Sequence, residues 1–572
     1  MTNREVAELL RQIAELLEIK GEIVYKSLAY RRAADNIEAL GRDIVEVWRE
    51  GKLRTIPGIG EALAKKLDEL FRSGHMEYYE RLLEEIPPTL PSLLAIPGVG
   101  PKTANLLWRQ LGLLTVADVE RAARAGQLRD LPGLGVRSEE RILEGIESLY
   151  RRSERIPLGT AWPIAQELIA ALREAVPAVH LETAGSLRRM RDTVGDIDLL
   201  AAAEDSEQVA KAFAALPQVA QVLGQGATKA SVRLQNGLQV DLRVVETRYW
   251  GSALQYFTGS QAHNISLREL AQKQGLSLSE YGYKRGDEEI PCATEEQVYR
   301  LLGLEWIPPE LREDRGEIEA AQQGQLPHLV AFGDLRGDLH VHSRWSDGAS
   351  SLEEMVQAAV ERGYDYVAVS DHTESLAIAN GKNWEGFQEQ RREIAQLQAR
   401  FPQIRILQGA EVEIKADGSL DFPGEMLAQL DIVIASIHSG LRQEEAQITA
   451  RVIKAMRNPH VDILGHPSGR ILGQREASAV NLDQVIQVAA ESGTILEINS
   501  IPDRLDLDDV YVRQALRKGV KLAINSDAHS TSGLDAIRYG IATARRGWAR
   551  AEDIVNTMPL EELLTLLSTR RG

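Results

Sequence analysis

The 572-residue sequence predicts a multidomain chain of three architectures: an all-α N-terminal region, an α+β centre and a C-terminal barrel of parallel βα units. Three observations predict it. A glycine-rich turn recurs three times in the first 150 residues, the pattern changes to short β-rich runs between about 155 and 250, and from about 335 onward strands alternate with helical stretches. At 44% hydrophobic and 26% charged, a chain of this length exceeds a single core, and three to five domains are expected.

Composition narrows the class further. The single Cys292 cannot form an internal disulfide, and no Cys-x-x-Cys pair is available for a thiolate zinc site, which fits a reducing cytoplasm. The opening MTNREVAELLRQIAELLEIK is an amphipathic helix pattern without the apolar core of a signal peptide, and no apolar run approaches the roughly 20 residues a membrane span needs. A soluble, cytoplasmic, monomeric protein with no membrane partner is expected. The net charge of -18 divides evenly, since residues 1–330 carry 40 basic and 49 acidic side chains and the remainder 26 and 35. With no basic tail, contact with a polyanion must use backbone amides, metals and local clusters such as Arg151, Arg152 and Arg155, or Arg188, Arg189 and Arg191. Any one of these clusters taken alone reads as a solvated face.

In the N-terminal region, IPGIG at 56–60, IPGVG at 96–100 and LPGLG at 131–135 each precede a helical stretch. Glycines at Gly58, Gly60, Gly98 and Gly100 let the backbone approach a phosphate, and the free amides of the following helix supply positive potential. One such turn is an ordinary connection, but three in 150 residues are a repeat. They resemble helix-hairpin-helix motifs, which bind the DNA backbone and could hold a monovalent cation. The second, LLAIPGVGPKTANLLW, is the fullest; the third continues into Glu139 and Glu140 and is the weakest.

The central region contains AGSLRRMRDTVGDIDLL, in which Gly185-Ser186 precede Asp196-x-Asp198. Side chains two apart on a strand share a face, so both aspartates can bind the same metals, and SVRLQNGLQVDLRVV, with an Asn236-Gly237 hairpin turn, offers Asp241 as a third carboxylate. A bare Asp-x-Asp is usually structural; the Gly-Ser pair and the third Asp reverse that. With YFTGSQAHNISLREL following, the region resembles the palm of a family X DNA polymerase. The resemblance covers residues 1 to about 310. It implies Asp196, Asp198 and Asp241 as catalytic ligands of Mg2+ or Mn2+, with Gly185, Ser186 and Arg189 gripping the triphosphate of a deoxynucleoside triphosphate. It also implies that Tyr256, Phe257 and Gly259 line the sugar, Asn264 meets the incoming base, Arg268 the template side, and that Arg243 pairs with a metal-binding aspartate in the open enzyme. Gapped or primer-template DNA is the implied substrate and short repair patches the product. The N-terminal helices resemble that family's lyase domain, placing Lys66 at the Schiff-base position. Ala62 departs from a family lysine and only Lys26 and Tyr30 remain for the phosphate pocket, so a surface lysine on a DNA-binding helix is the preferred reading of Lys66.

Seven of the 11 histidines follow residue 335, six of them in GDLHVHSRWSDG, VSDHTE, SIHSG, LGHPSG and SDAHS at strand ends. Imidazole and carboxylate together suit zinc, manganese or iron. His75, His180 and His460 read as structural. The order His340, His342, Asp347, His372, Glu411, His438, His466, Asp527, His529 resembles the polymerase and histidinol phosphatase (PHP) domain, a distorted (β/α)7-type barrel with three divalent metals (Mn2+, Zn2+ or Fe2+). The resemblance gives His340, His342, Glu411 and Asp527 to one metal, His438 and His466 with bridging Glu411 to a second, and Asp347, His372 and His529 to a third. It implies manganese-dependent 3′-5′ exonuclease activity, with 3′-end processing or AP-site cleavage as further reactions of the same site. The implied domains are 1–80 lyase-like, 81–150 fingers-like helix-hairpin-helix, 151–247 nucleotidyltransferase palm, 248–313 thumb, 314–334 a charged, Pro-bracketed, movable linker, and 335–572 the PHP barrel. Competing readings are a small-molecule phosphatase in the barrel, or a DNA-end scaffold with weak catalysis.

Overall fold

The computed structural model describes residues 3–571 except 23, 39–43, 97, 153–154, 178–179, 442 and 474; Pro97 of the second turn lies outside the described residues, as do the side chains of Arg151 and Arg152. The chain forms two compact units, Met1–Glu154 and Arg155–Gly572.

The first unit is helical around a core from Val6 to Ile146. Its three glycine turns share one geometry. Ile59, Val99 and Leu134 each donate their N–H to the carbonyl three residues back, at 3.1, 2.9 and 3.0 Å. Gly58, Gly98 and Gly133 sit at φ of +81°, +91° and +82°, a left-handed conformation that disfavours any side chain. Gly60 and Gly100 then precede the helices Glu61–Ser73 and Pro101–Leu111.

The second unit opens with a five-stranded sheet whose spatial order is His180–Thr183, Ile197–Ala202, Gln239–Val245, Lys229–Leu234, Val219–Gln225. Alternation in Lys229–Leu234 and Gln239–Val245 buries one face against the helix Ser206–Ala214, while Gly237 at φ +85° turns the hairpin between them. A small three-stranded sheet and the helices Trp250–Thr258 and Gln261–Lys273 follow. The C-terminal barrel has seven parallel strands in chain order, from Gly337–Val341 to Leu522–Asn525, every residue of which is buried except Arg405. A bridge between Val341 and Ala528 brings the first strand beside the end of the last, nearly closing it.

The segment 314–334 is not a free linker. It contains the helix Glu317–Gln322, and Glu317 is fully buried, its carboxylate taking His263 Nδ1 at 2.6 Å and the amides of Asp314 and Arg315. Its charge reads as solvated in sequence because the His263 partner lies on another element. Palm and barrel are also fused: Leu505 and Tyr539 of the barrel belong to the palm's hydrophobic core. No helix among the described residues is long and apolar enough to cross a membrane.

Candidate active sites

Parallel pairing of Ile197–Ala202 with Gln239–Val245 sets Asp198 directly opposite Asp241. Asp196 precedes the strand rather than lying within it, yet one oxygen from each of the three carboxylates falls within a 4.8 Å cluster. Burial, and next the charges of Asp196 and Asp241, push Asp198 up to about 7, against the pull of Lys229 and Arg243. Asp241 Oδ1 is buried without a hydrogen-bond partner. Three crowded carboxylates with an orphaned buried oxygen are unfavourable alone and fit a bound cation.

Around them, Gly185 at φ +58° lies so close that a Cβ there would sit 2.5 Å from Asp198 Oδ2. Ala184 donates its N–H to the Asp198 carbonyl at 2.8 Å, and Ser186 follows on the short helix Gly185–Arg188. Tyr256 and Phe257 meet edge to face at 5.1 Å, and Arg243 lies over Phe257 at 4.7 Å. Gly259 has φ +70°. Asn264 donates to the Tyr256 carbonyl at 2.7 Å and its own carbonyl oxygen accepts from Gln255 at 2.7 Å; Arg268 Nε reaches Asn264 O at 3.2 Å. Arg189, expected at the triphosphate, is held here by protein partners. Its guanidinium is turned to Glu313 Oε1 at 3.0 Å and the Thr258 carbonyl at 2.6 Å, because a buried carboxylate on a distant segment offers stronger compensation than solvent.

In the barrel the nine candidate ligands converge where the strands end, the face on which parallel βα barrels carry their chemistry. Glu411 is central: His466 Nε2 and His372 Nδ1 each lie 2.9 Å from its oxygens, His438 Nε2 3.3 Å, His340 Nε2 3.4 Å and His342 Nε2 3.6 Å. Close sets form from His340, His342 and Asp527; from His372, Glu411 and His438; and from His342, Asp347, His372 and His529, so His342 and His372 each face two sets. His340 Nε2 and both ring nitrogens of His342 are buried with no hydrogen bond, though His342 Nε2 is 3.1 Å from Asp527 Oδ1. Nitrogens that crowd carboxylates without bonding to them fit metal ligands aimed at common points. His466 and Asp527 hold φ of +26° and +51°, a strained backbone maintained at the site.

A supporting shell was invisible in the sequence. Glu497 accepts from His340 Nδ1 at 2.7 Å and Glu413 from His438 Nδ1 at 2.8 Å, leaving each Nε2 directed inward. Asp371 ties down the following loop through Ser343 and Ser346. TILEIN and GAEVEI contain these acids at strand positions that read as ordinary; a carboxylate inside an otherwise apolar strand was the available signal.

In the N-terminal unit, Lys66 Nζ donates to Tyr30 Oη at 2.5 Å and lies 3.2 Å from the centre of the Tyr78 ring. Burial, and then the charges of Lys26 and Arg81, bring its amine down to about 8.

Family models and curated relatives match this chain along its length. Family models match residues 1–76 as a helix-hairpin-helix domain, 90–148 as a SAM-like helix-hairpin-helix tandem, 253–313 as the DNA polymerase beta thumb and 338–501 as a PHP domain. The chain is 26% identical to rat (Rattus norvegicus) DNA polymerase lambda over 54% of its length and 56% of the relative's. It is 28% identical to a probable phosphatase of Thermoanaerobacter sp. (strain X514), over 38% of its length and 89% of the relative's. To the DNA polymerase/3'-5' exonuclease PolX of Bacillus subtilis (strain 168) it is 37% identical over 571 residues, 99% of each chain. With thumb, helix-hairpin-helix and PHP modules in one order and alignment from end to end, the chain belongs to the PolX family of DNA polymerase/3'-5' exonucleases.

Proposed function

We propose that this chain is a DNA-directed DNA polymerase that fills short gaps in DNA repair and carries a metal-dependent 3′-5′ exonuclease in its barrel. The observation that carries the reading is the coexistence of two separate clusters: Asp198 and Asp241 paired by strand register with Asp196 beside them, and eight barrel residues gathered with Glu411. A relative bearing both activities in its name aligns with the whole chain.

Asp196, Asp198 and Asp241 would hold Mg2+ or Mn2+, and nine barrel residues from His340 to His529 would hold divalent metals, manganese first among the candidates. Bound there, such ions activate an oxygen nucleophile and offset charge on the phosphate. The chain's own part is to set distances and exclude water. Tyr256, Phe257 and Gly259 would shape the sugar pocket, Asn264, held by the Tyr256 carbonyl, would meet the incoming base, and Glu497 and Glu413 fix which imidazole nitrogen faces inward. Gly58, Gly60, Gly98 and Gly100 would seat DNA backbone phosphates. Gapped duplex and deoxynucleoside triphosphates are the substrates.

Separation of function tests this. Asp198→Ala and Asp241→Ala should abolish primer extension on gapped DNA while leaving 3′ degradation intact, and His342→Ala should do the reverse. Extension at the wild-type rate in the aspartate variants removes the polymerase assignment, and degradation of a phosphorylated small molecule but not of DNA favours a phosphatase barrel.

A second reading has its own observation. Although a plain surface lysine was preferred for Lys66, its amine is half-buried, brought down to about 8, and flanked by Lys26 and Arg81. A partly neutral amine with two cations nearby to draw a phosphate suits Schiff-base attack on a 5′-deoxyribose phosphate. Borohydride trapping of the chain on such DNA, lost in Lys66→Ala, checks it.

A further inference from the structure

One barrel arginine reaches the loop beside the three aspartates. Arg546 ends the helix Ile537–Arg546, which is anchored in the barrel core by Ile537, Ile541 and Ala544, and its side chain is 3% exposed. Its Nη1 donates to the backbone carbonyl of Arg189 at 2.8 Å and to Glu313 Oε1 at 3.0 Å, and its Nη2 donates to Asp509 Oδ2 at 2.6 Å. The same Glu313 oxygen accepts from Arg189 Nε, whose Nη1 in turn holds the Thr258 carbonyl. Arg188 fastens Thr258 from its side chain at 2.7 Å and pairs with Glu295 through two 2.8 Å bonds. Asp509 is shared with Arg315 at 2.9 Å, and Arg191 stands 3.8 Å from Glu313.

This buried network joins three parts of the chain: the loop after Gly185-Ser186, the Thr258-Gly259 segment and the barrel. The first borders the three aspartates, and the second is tied to the first through Arg188 and Arg189. Gly185 is in contact with Asp198, and a Cβ on Gly259 would lie 3.2 Å from Arg189 Nη1, so the pieces have little slack. A guanidinium bonding a backbone carbonyl and two carboxylates in fixed planar geometry is a strut, which a flexible ammonium reproduces only in part.

We propose that Arg546, although it belongs to the nuclease barrel, is a positioning residue of the nucleotidyl-transfer site, holding the Gly185–Arg189 loop and the Thr258-Gly259 segment in register with Asp196, Asp198 and Asp241. The inference rests on the polymerase reading of those aspartates. Loss of the strut lets the loop that borders the triphosphate drift, and displacements on the order of 1 Å can cost about 100-fold in catalysis. Because the barrel ligands share no hydrogen bond with Arg546, nuclease chemistry should be spared.

The experiment compares full-length wild type, Arg546→Met and Arg546→Lys in steady-state gap filling and in manganese-dependent 3′ degradation. If wild type fails to extend primers, the polymerase reading itself falls, separately from this inference. Given extension by wild type, Arg546→Met should raise KM for the incoming nucleotide about tenfold with a smaller fall in kcat, Arg546→Lys should recover part of that loss, and degradation rates should stay within twofold. Nucleotide KM and kcat unchanged in a variant that still degrades DNA overturns the proposal. So does a parallel loss of both activities in the Met and the Lys variants, since that marks a general structural role.

Discussion

Replacing Glu497 by Gln removes one charge from the barrel and changes almost no volume. Each oxygen of this fully buried carboxylate accepts two hydrogen bonds: Oε1 from His340 Nδ1 at 2.7 Å and Asn525 Nδ2 at 2.8 Å, Oε2 from the His466 amide at 2.7 Å and Asn499 Nδ2 at 3.2 Å. A glutamine has one carbonyl oxygen, so in either orientation its amide nitrogen confronts two of the four donors. Two buried donors without acceptors cost about 1–3 kcal/mol each, or roughly 2–6 kcal/mol for the pair. Part of that loosens His340 and His466, both candidate ligands. The remaining effect is electronic, because a neutral partner no longer makes His340 a stronger donor through its other nitrogen. Together these should weaken metal binding about 10–100-fold. The assay is a manganese titration of 3′ degradation on a labelled oligonucleotide, with metal per chain measured after gel filtration and gap filling as the internal control. A half-saturating manganese concentration within twofold of wild type, in folded protein, would refute the assignment of Glu497 as the residue that orients His340.

Gly185→Ala should reduce gap filling at least tenfold without touching 3′ degradation, since the new methyl meets Asp198 Oδ2 at 2.5 Å and φ +58° adds about 1–2 kcal/mol of backbone strain; primer-extension kinetics read it. Gly159→Ala places a methyl 2.1 Å from Pro502 Cβ, where palm and barrel touch, and should lower stability by about 1–3 kcal/mol in denaturant titration. If Lys66 forms a Schiff base, trapping yield should rise through pH 8 and level off, because an amine lowered to about 8 is neutral in about one molecule in ten at pH 7, whereas an amine near 10.5 would keep rising beyond pH 10.

Much of this was legible in the residues alone. The three Pro-Gly-x-Gly turns, Asp198 and Asp241 on strands that could lie alongside, and His340-x-His342 announced their elements, because spacing within one helix, turn or strand is dictated by backbone geometry over a few residues, whereas the rest of the barrel's ligand set came with the family resemblance. That geometry is what sets Gly58, Gly98 and Gly133 in one conformation. Only the tertiary structure decided the rest. It placed Asp198 opposite Asp241, a register that depends on strand pairing between residues 43 positions apart, and it assigned Glu497 to His340, separated by 157 residues. It buried Glu317 where a movable linker was expected, and set the Arg189 guanidinium on Glu313. The physical reason is shared. A charged side chain announces its type in sequence, but whether it faces solvent, a metal or a buried counter-charge depends on which distant groups packing brings within about 3 Å, and no local pattern encodes that.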